Sequence, residues 1–154
     1  MHSILEEDKW TQRYIQLADH ISTWSKDPST KCGAVVIGDH GQVLSTGFNG
    51  FPRGIADDSR LLDRETKYKH IIHAEMNAIY NASLTSVSLN GSTLYVFGLP
   101  VCAHCALGII QSGIKTVMVA YPRDIPEKWK ESGDLTSALF EEAGVRYFQF
   151  YCED

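Results

Sequence analysis

Long apolar runs are missing from this chain of 154 residues. No stretch approaches the roughly 20 consecutive apolar residues that cross a bilayer as a helix, so no membrane partner is expected. The first ten residues, MHSILEEDKW, are acidic where a secretory leader is basic and then apolar. A cytoplasmic location is the expectation. Basic charge is also scarce: 14 Lys and Arg stand against 19 Asp and Glu, a formal net charge of −5. The cations are interleaved with acids, as in Asp57-Asp58-Ser59-Arg60 and Asp63-Arg64-Glu65, unlike the basic surface of a nucleic-acid binder. That argues against polymeric nucleic acid and for a small substrate. Internal repeats and low-complexity segments are absent as well.

What remains is the composition of an ordinary globule, 44% hydrophobic and 21% charged, and its length suits one domain over 1–154 with one core. From Lys9 to Ser25, Trp10, Tyr14, Leu17, Ala18, Ile21 and Trp24 recur at spacings of three and four, one face of a helix, which Asp27-Pro28-Ser29 ends. Cys32 to Ile37 and Val43 to Phe48 read as strands joined by the turn Gly38-Asp39-His40-Gly41. A Gly- and Pro-bearing loop, 49–54, follows, then a polar segment, 55–70, with a short helix expected over Ser59–Lys67. Further on come a helix at Ala74–Asn81, a strand at Ser92–Phe97, a helix after Cys102 and a strand at Thr116–Ala120. A helix at Asp134–Glu142 and a strand at Val145–Tyr151 complete the series. Gly113 and Gly144 stand where helix C-caps belong. Strands separated by helices call for a largely parallel sheet covered on both faces. The expected fold class is α/β, a three-layer α/β/α sandwich with a five-stranded mixed sheet.

Two short motifs carry the chemistry. His73-Ala74-Glu75 sets a carboxylate two residues after an imidazole, and Cys102-Ala103-His104-Cys105 sets two thiols three residues apart. Alone, a C-x-x-C fits a structural zinc, a redox pair or chance, and an acid at a helix start is common in any case. Together they are specific: Cys102 follows His73 by 29 positions, with the strand Ser92–Phe97 between. His73, Cys102 and Cys105 supply three ligands, and catalytic zinc takes three and leaves the fourth position to water. A closed structural site needs a fourth ligand. His104 lies between the cysteines and is expected to point away from their shared face. Zinc so held lowers the pKa of its water from about 15.7 toward roughly 7, and Glu75 is the residue placed to collect that proton and hand it on. H-x-E followed by P-C-x-x-C marks the zinc nucleobase deaminases. Of the remaining cysteines, Cys32 beside Gly33-Ala34-Val35-Val36 reads as a small buried residue, and Cys152 carries no argued role.

From about Trp24 to Val145 the chain resembles the deoxycytidylate (dCMP) deaminases of the cytidine deaminase-like superfamily. The resemblance rests on Ser25-Lys26-Asp27-Pro28-Ser29-Thr30-Lys31, on Gly47-Phe48-Asn49-Gly50-Phe51-Pro52-Arg53-Gly54, on His73-Ala74-Glu75-Met76-Asn77-Ala78-Ile79 and on Cys102 to Ile114. It implies hydrolysis of dCMP to dUMP and ammonia, Zn2+ at His73, Cys102 and Cys105, and Glu75 as the catalytic proton shuttle. It also implies a homo-oligomer, hexamer or dimer, and regulation by dCTP and dTTP. The substrate-binding set expected from it is Asn49, at the sugar, together with Ala74, Arg53, Lys31 and Tyr68. An amide suits a sugar hydroxyl because it offers both donors and an acceptor. Arg53, Lys31, Arg64 and Lys26 are the candidates for the phosphate, which needs charge-assisted donors. His20, His40 and His70 read as ordinary residues. One departure stands out: Val101 precedes the first cysteine, where the family usually has proline, and Pro100 lies one position earlier. The alternatives are a deaminase of a nucleoside, a free base or a 5-substituted dCMP, then a tRNA- or single-stranded-DNA-editing deaminase, then a structural zinc domain.

Overall fold

A computed structural model describes residues 1–152. The strands are β1 (His2–Ser3), β2 (Gly33–Ile37), β3 (Val43–Phe48), β4 (Thr93–Phe97), β5 (Thr116–Tyr121) and β6 (Arg146–Tyr151). The α-helices are α1 (Lys9–Ser22), α2 (Arg64–His70), α3 (Ala74–Leu84), α4 (Ala103–Gln111) and α5 (Lys128–Ala143). The sheet is six-stranded in the order β1-β6-β5-β4-β2-β3, one strand more than expected. The addition is β1, two residues that pair in parallel with Phe150 and Tyr151; so short a strand has no alternation to read. Pairing is parallel from β4 through β5 to β6 and antiparallel between β4, β2 and β3.

Alternate residues of the strands face opposite layers. Ala34, Val36, Leu94, Val96, Val117 and Val119 pack with residues of α3, α4 and α5. Val35, Ile37 and Tyr95 pack on the other side with Ile15, Ala18 and Ile21 of α1. All five residues of β2 are buried, as befits a central strand covered on both faces. Two glycines set the spacing. A Cβ at Gly33 would lie 2.0 Å from the Ala18 carbonyl oxygen of α1, and one at Gly47 would lie 2.5 Å from the Ala74 carbonyl oxygen of α3. The second approach seats the start of α3 directly against β3.

Several elements differ from the expectation. Trp10 and Trp24 do not lie on the core face of α1: each is 53% exposed, and the inward residues are Thr11, Ile15, Ala18, Ile21 and Ser22. The close approach of Gly33 turns small Ala18 to the sheet, leaving the indoles at the flank, where Arg13 lies 4.7 Å over the Trp10 ring. The expected helix Ser59–Lys67 is two pieces, a 3-10 turn at Ser59–Leu62 and then α2. Asp63 separates them because its carboxylate caps α2 by accepting from Thr66 N. Helix α5 starts at Lys128, six residues before the expected Asp134, running through Ser132-Gly133; helix interiors tolerate a single glycine at about 1 kcal/mol. Among the described residues no helix is long and apolar enough to cross a membrane.

Candidate active site

The functional side chains collect at one end of the sheet because β2 runs antiparallel to both its neighbours. Gly33 pairs with Phe97 on one side and Phe48 on the other. The start of β2, the end of β3 and the end of β4 therefore meet, bringing together Cys32, Asn49 and the segment from Gly98 to Cys102. β4 is also where the parallel part of the sheet gives way to the hairpin, and α/β sheets bind ligands at such a switch, beyond the carboxyl ends of the strands. A cleft of about 260 Å³ opens there.

His73 is the N-cap of α3, and Cys102 is the N-cap of α4. Both helix starts point into the cleft. His73 Nδ1 lies 3.5 Å from Cys102 Sγ and 3.3 Å from Cys105 Sγ, and the three donors fall within 4.8 Å of one another. Tetrahedral zinc, with bonds of about 2.05 Å to nitrogen and about 2.3 Å to sulfur, sets such donors about 3.5 Å apart, so the donor set fits. The protonation pattern fits too. Hydrogen bonding from Cys105 and His73 holds the Cys102 thiol down to about 4, while the same contact and burial push Cys105 up. Two adjacent sulfurs resist a second negative charge, and a dication between them removes that resistance. His104 is exposed on the far side of α4, leaving three donors and an open position.

Glu75, in the first turn of α3, is 5% exposed. Burial pushes its carboxyl above the usual range, with the nearby imidazole of His73 working in the opposite direction. Cys32, also against the cleft, has its thiol raised by burial and by the Glu75 and Asp27 charges, which makes it a poor nucleophile.

The rest of the cleft is not the one expected from sequence. Ala74, Asn49 and Tyr68 line it. The Asn49 amide is already engaged: its Oδ1 accepts from Cys32 N at 2.8 Å, and its Nδ2 donates to Thr30 O at 2.9 Å. Arg53 is not in the lining. Its guanidinium donates to Asn81 Oδ1 on α3 at 2.6 Å, because the 49–54 loop turns outward. Lys31 is exposed and donates to Ser25 O, and Lys26 pairs with Asp57 on the surface at 3.2 Å. Of the four candidate cations only Arg64 lines the cleft, and Lys67 and Lys128 join it there. Lys67 is 3% exposed, its ammonium 3.0 Å from Asp27 Oδ1 and 3.1 Å from Ser29 Oγ. Nothing in the run Arg64-Glu65-Thr66-Lys67-Tyr68-Lys69 marks that one lysine as buried. Trp129 and Pro126, at the start of α5, form a further wall; a lone aromatic in a polar stretch gave no signal either.

A mixed sheet with an imidazole at one helix start, two thiols at the next and a buried carboxylate beside them defines a zinc-dependent hydrolase of amino-substituted bases. The comparisons with known proteins agree. The cytidine and deoxycytidylate deaminase zinc-binding region matches residues 8–121, and the chain belongs to that family. An uncharacterized deaminase from the luxG 3′ region of Aliivibrio fischeri is 40% identical over 138 residues, covering 89% of this chain and 90% of that protein. Deoxycytidylate deaminase of Homo sapiens is 35% identical over 150 residues, covering 92% and 80%. Among solved structures, the dCMP deaminase of cyanophage S-TIM5 in complex with dCMP and dUMP superposes with a TM-score of 0.78, at 25% identity, covering 94% of this chain and 98% of that one.

Proposed function

We propose that this protein hydrolyses dCMP to dUMP and ammonia in pyrimidine nucleotide metabolism, as one deaminase domain over 1–154 with a single Zn2+. The observation that carries it is the joining, in one cleft, of the His73, Cys102 and Cys105 donors and buried Glu75 with the cations Arg64, Lys67 and Lys128. Relatives named for deoxycytidylate deamination at 35% identity support the choice of substrate. Zinc, when bound, supplies a Lewis acid that lets water ionise near neutral pH. Glu75 takes the proton from the attacking water and delivers it to the ring nitrogen next to the reacting carbon. The second proton of the same water then passes through that carboxylate to the amino group, which leaves as ammonia as the C–N bond breaks and the ring carbonyl forms. Burial suits this work because it raises the carboxyl toward the pH at which it both accepts and gives a proton. Asn49 keeps one lone pair on Oδ1 for a sugar hydroxyl. Arg64, already a phosphate candidate, takes that role with Lys67 and Lys128, in place of Arg53, Lys31 and Lys26.

The location is cytoplasmic on this reading, since the thiolate ligands need reducing surroundings. Homo-oligomer assembly is part of the proposal, supported by exposed Tyr80 and Leu84, one turn apart on α3, and Leu107 on α4. Regulation by dCTP and dTTP belongs to it through the family resemblance; light scattering and assays with each nucleotide added test the pair. The substrate is tested by ammonia release from dCMP, CMP, deoxycytidine, 5-methyl-dCMP and guanine. dCMP is expected to give by far the highest kcat/KM. Equal values for dCMP and deoxycytidine overturn the nucleotide reading in favour of a nucleoside deaminase.

A further inference from the structure

Cys102, like His73, stands just ahead of its helix. It is an N-cap with extended backbone, φ −77° and ψ 159°, whereas Cys105 is held inside the α4 ladder. Something outside α4 must set the peptides on either side of Cys102. Among the described residues two such hydrogen bonds are seen, and both come from α5. Thr136 Oγ1 donates to the Val101 carbonyl oxygen at 2.9 Å, in a fully buried position. Ser132 Oγ accepts from Ala103 N at 3.1 Å. Ser132 and Thr136 stand four apart, on one face of α5. A threonine hydroxyl inside a helix ordinarily bonds back to a carbonyl of its own preceding turn; that of Thr136 is spent on the loop instead. Ala103 N is one of the first-turn donors that α4 cannot satisfy itself, and another helix supplies its acceptor. The position before Cys102 is Val101, so no pyrrolidine ring restricts the backbone there.

We propose that Ser132 and Thr136 are positioning residues for the metal: gripping the peptides before and after Cys102, they aim its sulfur at the site shared with His73 and Cys105. Helix α5 also carries Lys128 and Trp129 into the cleft, so the element that walls the substrate site also holds the metal loop. The proposal rests on His73, Cys102 and Cys105 as the zinc ligands.

The test compares the full chain with Ser132→Ala, Thr136→Val and Thr136→Ser. Zinc affinity is measured by competition with a chromophoric chelator, and the site is read by the absorption of the cobalt-substituted protein. Groups behind metal ligands typically change affinity by about 10–100-fold. Ser132→Ala and Thr136→Val are each expected to weaken zinc by about that factor and to shift the cobalt–thiolate bands, while Thr136→Ser restores both. Affinities and spectra of Ser132→Ala and Thr136→Val matching those of the unaltered chain overturn the proposal. Should Thr136→Val fail to fold, Ser132→Ala decides by the same criterion. An unaltered chain that binds no zinc would instead overturn the ligand assignment beneath it.

Discussion

The two ends of the cleft are built on different principles. At the metal end, four functional side chains come from two short motifs, each wrapped around a helix start: His73 and Glu75 on α3, Cys102 and Cys105 on α4. Local geometry does most of the work, because residues three apart at a helix start share a side. Two long-range relations complete it, the seating of α3 and α4 at the same end of the sheet and the hydrogen bonds from Ser132 and Thr136 of α5 to the peptides around Cys102. At the substrate end the contacts that close the site join single residues from separate segments. Lys67 of α2 reaches Asp27 across 40 positions, and Asn49 reaches Cys32 across 17. A site of the first kind leans on few residues elsewhere; a site of the second kind is as stable as the packing that assembles it.

That contrast can be broken most severely at the metal end. Cys105→Ala should remove zinc and activity together, since two donors do not make an open catalytic site; metal analysis of the purified variant checks it, and retained zinc with full turnover sinks the assignment. Glu75→Gln should separate metal from chemistry. The variant is expected to keep its zinc while kcat falls about 10²–10⁴-fold, the usual worth of a placed proton carrier. Wild-type turnover would show that the protons travel by another route.

At the substrate end the expected loss is of structure before chemistry. Lys67→Met leaves Asp27 buried with no opposing charge, which typically costs about 3–5 kcal/mol, read from urea unfolding. Asp27 keeps its bonds from Ser29 N and Asn49 Nδ2, so adding Asp27→Asn to Lys67→Met should recover part of the loss. Unchanged stability in the single variant would mean that Lys67 does not tie α2 to the 25–31 loop.

Two arginines then sharpen the comparison. Arg64 lines the cleft and Arg53 does not. Losing one charge-assisted bond to a phosphate costs about 1.5–3 kcal/mol, so Arg64→Ala should lower kcat/KM for dCMP at least about tenfold and leave deoxycytidine nearly unaffected. Arg53→Ala should fall within the roughly 0.5 kcal/mol typical of surface changes, measured by the same kinetics. The reverse ranking would return the phosphate to the 49–54 loop.

Legibility in the sequence followed the same division. His73, Glu75, Cys102 and Cys105 could be picked out because their spacing is itself the signal, and strand β3 was read to its ends because hydrophobic alternation and the hairpin turn are local properties. The reading failed where a neighbour decided the outcome. Trp10 and Trp24 have the periodicity of a core face, yet the approach of Gly33 to Ala18 selected a different stripe. Arg53 has the charge a phosphate needs, but its loop carries it to Asn81.

By itself, then, the sequence determined the kind of chemistry and the layered α/β frame, because helix starts, strand alternation and ligand spacing are short-range and survive without knowledge of the rest. Only the tertiary structure decided which cations face the cleft, that Lys67 is buried against Asp27, and that α5 grips the peptides around Cys102. Each of these is a meeting of residues far apart in the chain, brought about by an antiparallel hairpin set against a parallel sheet, and no local pattern encodes which of several similar side chains will be carried there.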